Sequence, residues 1–171
     1  MSAVDDEVNY CIRCGEKLEK EDLFGKIRPV CPNCGWIYFA DPKVAVAVLI
    51  IEGQNVLLVR RVNVPGQGLW TLPAGFVDAG EDPRSAACRE CKEETGLEVE
   101  ITDLIDVLYG QEHVRGAHIL IAYRGVIQSG KMTPADDADQ VAFFPMDALP
   151  ELAFSTTNRI IGKAQSEQIF H

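Results

Sequence analysis

The pattern of apolar and polar residues predicts a mixed α/β domain over most of the chain. Two β-rich apolar runs, at about 43–51 and 55–62, are separated by Glu-Gly-Gln-Asn, a sequence typical of a hairpin turn. Strand-like runs recur in "EVEITDLIDVLYGQ", "GAHILIAYRGVIQSG" and "QVAFFPM", and the last residues favour a turn followed by a closing helix. This order predicts a mixed β-sheet with helices on its faces, an α+β fold of the α-β-α sandwich type.

One internal helix has clear signals at both ends. Asp82 is a suitable N-cap, Pro83 suits the first helical position, and Gly96 stands where the helix should end. The sequence therefore predicts a helix between the second and third groups of strands.

The same helix carries an acidic face. Glu90, Glu93 and Glu94 stand at positions i, i+3 and i+4, which lie on one side of an α-helix. Carboxylates this close repel one another unless a cation lies between them, and hard oxygen ligands suit Mg²⁺ or Mn²⁺. A solvated acidic surface is the alternative interpretation.

The first forty residues have a different character. Two CxxC pairs, Cys11 with Cys14 and Cys31 with Cys34, supply the four thiolates of a tetrahedral Zn²⁺ site. The residues between the pairs hold too little apolar surface for a core, so the metal should supply most of the folding energy. We expect a structural zinc ribbon over 1–40 and a larger domain over 41–171.

Composition and charge narrow the class of protein. The chain has 171 residues, six cysteines and a net charge of −10, which disfavours a nucleic-acid backbone as partner. It contains no apolar run of the roughly 20 residues that a membrane span requires. Its first residues are acidic and lack the apolar core of a signal peptide, so a cytoplasmic location is expected.

The spacing of residues from Gly75 to Leu97 resembles the 23-residue Nudix box. The matching residues are Gly75, Glu81, Arg89, Glu90, Glu93, Glu94, Gly96 and Leu97. Cys91 stands where this family usually has an aliphatic residue, and a buried thiol can take that place as a small apolar group. The resemblance implies the Nudix fold and the hydrolysis of nucleoside diphosphates linked to another moiety.

The resemblance also implies roles for individual residues. The expected Mg²⁺ or Mn²⁺ ligands are three carboxylates and one backbone carbonyl, from Glu90, Glu93, Glu94 and Ala74. Arg89 would pair with Glu81 and hold the helix against the loop before it. A general base is also needed to take a proton from water. It could be a glutamate of the box or a later carboxylate, for which the candidates are Glu112, Asp136, Asp137 and Asp139.

Outside the box, the ribbon, "GLWTLPAGFV" and "LPELAFSTTNRI" are similar to plant-type FAD and ADP-ribose pyrophosphatases and their bacterial relatives. This implies Mg²⁺-dependent cleavage of the pyrophosphate bond of ADP-ribose or FAD. An NADH or capped-RNA pyrophosphatase is the alternative, although "LIDVLYGQEHVRG" lacks the Ser-Gln-Pro-Trp type of motif of the NADH enzymes. A further alternative is a non-catalytic ligand sensor or nucleic-acid-binding regulator, which would be expected to have a damaged box.

Two features of the substrate complex and assembly stay open at this point. An adenine or flavin ring needs an aromatic or apolar platform, for which the candidates are Trp70, Tyr109, Phe143 and Phe154. Related enzymes are commonly homodimers, and a chain with several late apolar residues could be one.

Overall fold

The computed structural model describes residues 8–110 and 119–168, and the chain divides into two units, Met1–Pro42 and Lys43–His171. The first unit contains an antiparallel hairpin of β1 (Glu19–Leu23) and β2 (Lys26–Val30), which the apolar pattern did not predict. Its turn residues, Phe24 and Gly25, both have positive φ angles, as tight two-residue hairpin turns require. Most side chains of β1 are exposed, so this hairpin does not form a conventional apolar core.

The second unit contains seven strands and two helices within the described residues. Their bounds are β3 (Val44–Glu52), β4 (Asn55–Arg61), β5 (Trp70–Thr71), β6 (Ala74–Phe76), α1 (Pro83–Thr95), β7 (Leu97–Tyr109), β8 (Ile119–Gly130), β9 (Ala138–Pro145) and α2 (Ser155–Gln168).

The strands form a mixed sheet in the order β5-β4-β3-β8-β7, with β6 also beside β3 and β9 also beside β4. β3 and β8 are parallel, and the other pairs are antiparallel. β3 and β4 pair with each other only next to their turn, at Ile51 with Val56 and Glu52 with Asn55. Beyond that point β3 pairs with β6, and β4 pairs with β5 and β9, so the sheet opens between β3 and β4.

The helices cover the two faces of this sheet. Alternate residues of β3 point to opposite faces. Val46, Val48 and Ile50 lie in one buried cluster with Ala86, Ala87 and Cys91 of α1. Ala47 and Leu49 lie in a second cluster with Ile160, Ile161 and Ala164 of α2. The predicted α-β-α sandwich is therefore confirmed.

The ends of α1 follow the sequence signals. The Asp82 side chain accepts hydrogen bonds from the backbone N–H groups of Arg84 and Ser85, at 3.0 and 3.1 Å. Gly96 ends the helix in the left-handed region at φ 72°, and its N–H donates to the carbonyl of Lys92. The closing helix begins at Ser155, after residues 151–153, which lie beside β5 through two backbone hydrogen bonds with Trp70.

Neither helix in the described part of the chain is long and apolar enough to span a membrane.

Candidate active site

The loop before α1 is tied to the helix by Arg89. Its Nε and Nη2 donate to the two carboxylate oxygens of Glu81, at 2.8 and 2.7 Å. Nη1 donates to Glu90 at 2.7 Å and to Glu93 at 3.2 Å, and Nη2 also donates to the carbonyl of Phe76 at 3.1 Å. A guanidinium has five N–H donors, and these five bonds use all of them. The pairing of Arg89 with Glu81 is the one that the resemblance implied.

This pairing changes the protonation of Glu81. The Arg89 guanidinium, helped by the backbone N–H of Asp78, lowers the pKa of Glu81 to about 2. Glu81 is therefore a fixed anion that holds the loop at neutral pH.

Glu94 is almost completely buried, with 3% of its surface exposed. One of its carboxylate oxygens accepts a 2.9 Å hydrogen bond from the backbone N–H of Ala74 in β6. Burial raises the pKa of Glu94 to about 8, with the nearby Glu90 charge acting in the same direction and the Ala74 hydrogen bond opposing it. A cation bound nearby would therefore stabilise the charged form of this buried carboxyl.

Glu90 lies directly against the backbone of Gly75. A Cβ atom added to Gly75 would overlap the Glu90 carboxyl group, so only glycine allows this approach. The Glu90 side chain is 12% exposed, and burial raises its pKa, opposed by Arg89 and assisted by the charges of Glu93 and Asp136. Gly75, the first residue of the matched box, thus has a steric role in this chain.

The carboxylate oxygens of the three glutamates are the type of ligand that a hard divalent cation prefers. Glu90, Glu93 and Glu94 stand on one helix face, and Glu90 and Glu94 reach β6. The pKa values of these two are raised because they are desolvated and close to other acids. Their oxygens do not form a closed ligand group among the described residues, since Glu90 and Glu93 both accept from Arg89 while Glu94 accepts from Ala74.

A cavity of about 660 Å³ opens where β3 and β4 separate. Glu90, Glu93 and Ala74 line it, together with the start of α2. It is within the size range of small-molecule sites, about 300–1,000 Å³. The acidic face of α1 therefore borders a cavity that can admit a nucleotide-sized ligand.

Three candidates for the general base, Asp136, Asp137 and Asp139, have different surroundings in the structure. Asp136 lines the cavity and is close enough to Glu90 for its charge to raise the pKa of that residue. Asp137 also lines it, but it accepts a 2.6 Å hydrogen bond from the Asn63 side chain. Asp139 is absent from the cavity lining and forms a two-bond ion pair with Arg60. Glu112 lies outside the described residues.

One of the four aromatic candidates for a ring platform borders the cavity. Phe154 lines the cavity, whereas Trp70 packs edge-on against Phe144 with ring centroids 4.6 Å apart. Phe143 packs against the buried cluster beneath α1, and Tyr109 is an exposed residue at the end of β7. Sequence reasoning missed Phe76, which lines the cavity and is 46% exposed. Its position directly after Gly75 in the box was the available signal.

Cys88 and Cys91 on α1 do not form a metal site. Cys91 is buried, and burial raises the pKa of its thiol to about 11. The Cys88 thiol donates to the carbonyl of Val99 at 3.4 Å. Both thiols face packed protein.

The four cysteines of the first unit lie together. Sulfur separations are 3.6 Å for Cys11 with Cys34, 3.4 Å for Cys14 with Cys31, and 3.7 Å for Cys14 with Cys34. A tetrahedral zinc ion with bonds of about 2.3 Å holds its sulfurs about 3.8 Å apart. Among residues 8–110 and 119–168, they are the one group of three or more potential metal-binding side chains with ligand atoms all within 4.8 Å of one another.

The two cysteine turns have matching geometry. Gly15 N–H donates to the carbonyl of Cys11 and Gly35 N–H to that of Cys31, both at 2.9 Å. Both glycines have positive φ angles, 77° and 71°. The paired turns and the sulfur separations are consistent with a zinc ribbon.

With this geometry in view, comparison with known sequences identifies the family. The model of the NUDIX domain matches residues 41–163, and the chain belongs to the NUDIX domain family. A protein of Methanocaldococcus jannaschii named "ADP-ribose pyrophosphatase" is 36% identical over 117 residues, which are 68% of this chain and 69% of that protein. The Nudix resemblance and the Nudix fold are thus confirmed.

A second relative also covers much of this chain. The "NAD-capped RNA hydrolase NudC" of Pseudomonas aeruginosa is 31% identical over 146 residues, 84% of this chain. Those residues make up 50% of the NudC protein, so the chain spans about half the length of that relative. Among solved structures, a NUDIX hydrolase from Nitrosomonas europaea superposes with a TM-score of 0.86 at 28% identity, covering 95% of this chain and 93% of that one.

Proposed function

We propose that the protein is a divalent-cation-dependent pyrophosphohydrolase that cleaves the diphosphate bond of ADP-ribose, with FAD as a further substrate. The observation that carries the proposal is the position of three glutamates on one face of α1. Glu90 lies against Gly75 and Glu94 bonds to Ala74, while Glu90 and Glu93 line a nucleotide-sized cavity. The 36% identity to a protein named for ADP-ribose cleavage supports this substrate class.

In this proposal, Glu90, Glu93 and Glu94 hold Mg²⁺ or Mn²⁺, with the carbonyl of Ala74 as a further ligand. When bound, the cation would neutralise charge on the diphosphate and lower the pKa of a coordinated water. The buried Glu94 contributes a carboxylate whose position is fixed by the Ala74 N–H.

Arg89 and Glu81 position these ligands and are not proposed to touch the substrate. Arg89 joins the loop carboxylate of Glu81 to the helix carboxylates of Glu90 and Glu93 through one rigid guanidinium. Gly75 allows Glu90 to approach the β6 backbone. These contacts connect the loop to the helix, which favours a fixed arrangement of the three glutamates.

We assign the proton-accepting role to Asp136. It lines the cavity, whereas Asp139 is committed to Arg60 and Asp137 to Asn63. Asp136 also has a positive φ of 52°, a conformation that aspartate adopts more readily than most residues. A carboxylate at this position would accept the proton of the attacking water, and the products of ADP-ribose would be AMP and ribose 5-phosphate.

A second candidate substrate is supported by a separate observation. The identity to the NudC protein extends over 84% of this chain, more than the 68% for the archaeal relative. NAD-capped RNA or NADH is therefore the alternative substrate. The negative net charge of the chain disfavours a long contact with RNA.

We further propose that Cys11, Cys14, Cys31 and Cys34 bind one structural zinc ion. Three of their sulfur separations, 3.4, 3.6 and 3.7 Å, are close to the edge of about 3.8 Å of a tetrahedral zinc–thiolate site, and all four sulfurs lie within 4.8 Å of one another. With four protein thiolates as ligands, no position is left for a substrate or a reactive water.

A substrate panel tests the proposed reaction. Purified protein is incubated with ADP-ribose, FAD, NADH or NAD-capped RNA, each with Mg²⁺, with Mn²⁺ or with EDTA, and the products are separated by chromatography. We expect AMP and ribose 5-phosphate from ADP-ribose with a cation and none with EDTA. Preferential release of NMN from the capped RNA would favour the alternative, and no turnover of any compound would favour a ligand sensor.

A cytoplasmic location and a homodimeric assembly remain predictions from the sequence. Size-exclusion chromatography with light scattering would determine the assembly.

A further inference from the structure

Two arginines line the cavity, Arg61 at the end of β4 and Arg89 on α1. Arg89 is fully committed, because its five donors are all used by Glu81, Glu90, Glu93 and the carbonyl of Phe76. Arg89 therefore has no donor left for a ligand while these bonds persist.

Arg61 is held in place by contacts that do not use its two terminal nitrogens. Its Nε donates to the carbonyl of Pro65 at 2.9 Å, and its guanidinium carbon lies 4.9 Å from the ring centroid of Phe154. In the part of the chain that the structure describes, no carboxylate oxygen lies within 4.0 Å of it, and neither Nη1 nor Nη2 donates to a protein acceptor. Two nitrogens of a positioned guanidinium thus border the cavity.

The neighbouring Arg60 differs from Arg61 both in its partners and in its position relative to the cavity. Arg60 donates from Nε and Nη2 to both oxygens of Asp139, at 2.8 and 2.7 Å, and is absent from the cavity lining. The pairing of β4 with β9 shifts between Arg60 and Arg61, since Arg60 faces Gln140 and Arg61 faces Ala138. Asp139 is the extra residue of this bulge, and bulges commonly redirect side chains.

Hydroxyl groups add donors to the same cavity. Thr71 of β5 and Thr157 of α2 are buried, line the cavity and lie 3.0 Å apart, oxygen to oxygen. Their mutual bond uses one of the two hydroxyl hydrogens, so one hydrogen remains for another acceptor. The cavity therefore combines carboxylates from α1 with cationic and hydroxyl donors from β4, β5 and α2.

We propose that Arg61 is a substrate-binding residue that holds a phosphate of the nucleoside diphosphate through its two terminal nitrogens. A planar guanidinium matches two oxygens of a phosphate, and the carbonyl of Pro65 and the ring of Phe154 limit the orientations of this one. The inference rests on the proposed function for the identity of the ligand. It adds a direct protein contact to the diphosphate from β4, a different element from the one that carries the glutamates.

The simplest competing role for Arg61 is structural. Its bond to Pro65 could serve only to hold the loop that joins β4 to β5. A lysine would distinguish the two roles, because it keeps the charge but has neither the planar group nor the Nε donor.

The test measures binding of α,β-methylene-ADP, a diphosphate that cannot be cleaved at its bridging position, by calorimetry with Mg²⁺ at two salt concentrations. Wild type is compared with Arg61→Gln, Arg61→Lys and the matched control Arg60→Gln. We expect the affinity of Arg61→Gln to fall about tenfold or more. Arg61→Lys should fall less, and Arg60→Gln should stay within about twofold because its partner Asp139 is outside the cavity. The affinity of Arg61→Gln should also depend less on salt than that of wild type.

Three results would overturn the proposal. One is equal affinity for Arg61→Gln and Arg60→Gln, another is equal weakening in Arg61→Lys and Arg61→Gln, and the third is no binding of the analogue to wild type. Since the analogue is bound and not cleaved, these results do not depend on turnover of ADP-ribose. Failure of the Arg61 subsite and failure of the proposed hydrolysis can thus be distinguished.

Discussion

Glu81 and Arg89 are joined by two parallel hydrogen bonds, 2.8 Å from Nε to Oε1 and 2.7 Å from Nη2 to Oε2. One residue lies in the loop after β6 and the other on α1, so this pair ties the helix that carries the proposed carboxylate ligands to the loop before it. Two parallel bonds fix orientation as well as distance, which a single ion pair would not. The link is therefore expected to affect both stability and catalysis.

The Glu81–Arg89 pair predicts a pH-dependent contribution to stability. The pKa of Glu81 is lowered to about 2, against about 4.3 in an unfolded chain, so its contribution is fully present above the unfolded value and is lost as pH falls toward the folded one. Glu81→Gln should lower the free energy of unfolding at pH 7, and its difference from wild type should shrink between about pH 4.5 and pH 2. Urea unfolding without added Mg²⁺ or Mn²⁺, at pH 7, 5 and 3.5, measures this.

Glu52→Gln is the control for that series, because Glu52 is an exposed residue at the end of β3. Its effect should be small at each pH. A difference between Glu81→Gln and wild type that stays constant from pH 7 to pH 3.5 would contradict the assigned role.

Gly75→Ala should remove activity without unfolding the protein. The added methyl group would overlap the carboxyl of Glu90 and displace it. We expect kcat/KM for ADP-ribose to fall about 100-fold, the scale of an ångström-sized misplacement. Gly162→Ala is the control, since a Cβ at this exposed position of α2 meets no atom within 4 Å. It should keep full activity and gain up to about 1 kcal/mol of stability. Equal activity in both variants would show that Glu90 does not need its observed position.

Cys11→Ser should abolish stoichiometric zinc. The other three sulfurs would remain, but structural sites require four protein ligands and supply folding energy through the metal. Metal content by mass spectrometry after extensive dialysis is the measurement. Cys88→Ser should keep its zinc, since Cys88 lies on α1 and bonds to Val99. Full zinc content in Cys11→Ser would contradict the four-sulfur site.

Local signals in the sequence were sufficient for α1 and its acidic face. Asp82, Pro83 and Gly96 act on backbone groups of their own helix, so the bounds of α1 could be predicted without tertiary contacts. The resemblance to the Nudix box likewise implied the pairing of Glu81 with Arg89. These features depend on residues close together in sequence.

Other parts of the site could not be predicted because they depend on packing between distant segments. Arg60 and Arg61 are adjacent residues of the same type, so the sequence does not show which of them lines the cavity. Their surroundings differ at a bulge in the opposite strand, at Asp139. Phe154 reaches the cavity because residues 151–153 align beside β5, a register that no local pattern encodes. The hairpin of the first unit was missed since it lacks the apolar alternation of a packed strand.

Asp136→Asn should reduce kcat for ADP-ribose by about 10²-fold or more, because an amide cannot accept the proton of the attacking water. The split between kcat and KM provides the specific readout: kcat should fall while KM changes little, because the proton is taken only in the chemical step. Asp139→Asn is the matched control, since it breaks the ion pair with Arg60 outside the cavity and should leave kcat and KM unchanged. The opposite ranking of the two variants would move the assignment to Asp139.

The most direct test of the central claim is the Mg²⁺-dependent hydrolysis of ADP-ribose by Glu94→Gln. Glutamine has the same shape and can still accept the hydrogen bond from Ala74, so the fold should persist while the charge for the cation is lost. Glu98→Gln is the control, because Glu98 is an exposed residue of β7 paired with Lys92. We predict that AMP release by Glu94→Gln falls on the order of 10²–10³-fold with Mg²⁺, while Glu98→Gln matches wild type. Equal AMP release by Glu94→Gln and wild type would contradict the assignment of this helix as the metal-dependent catalytic centre.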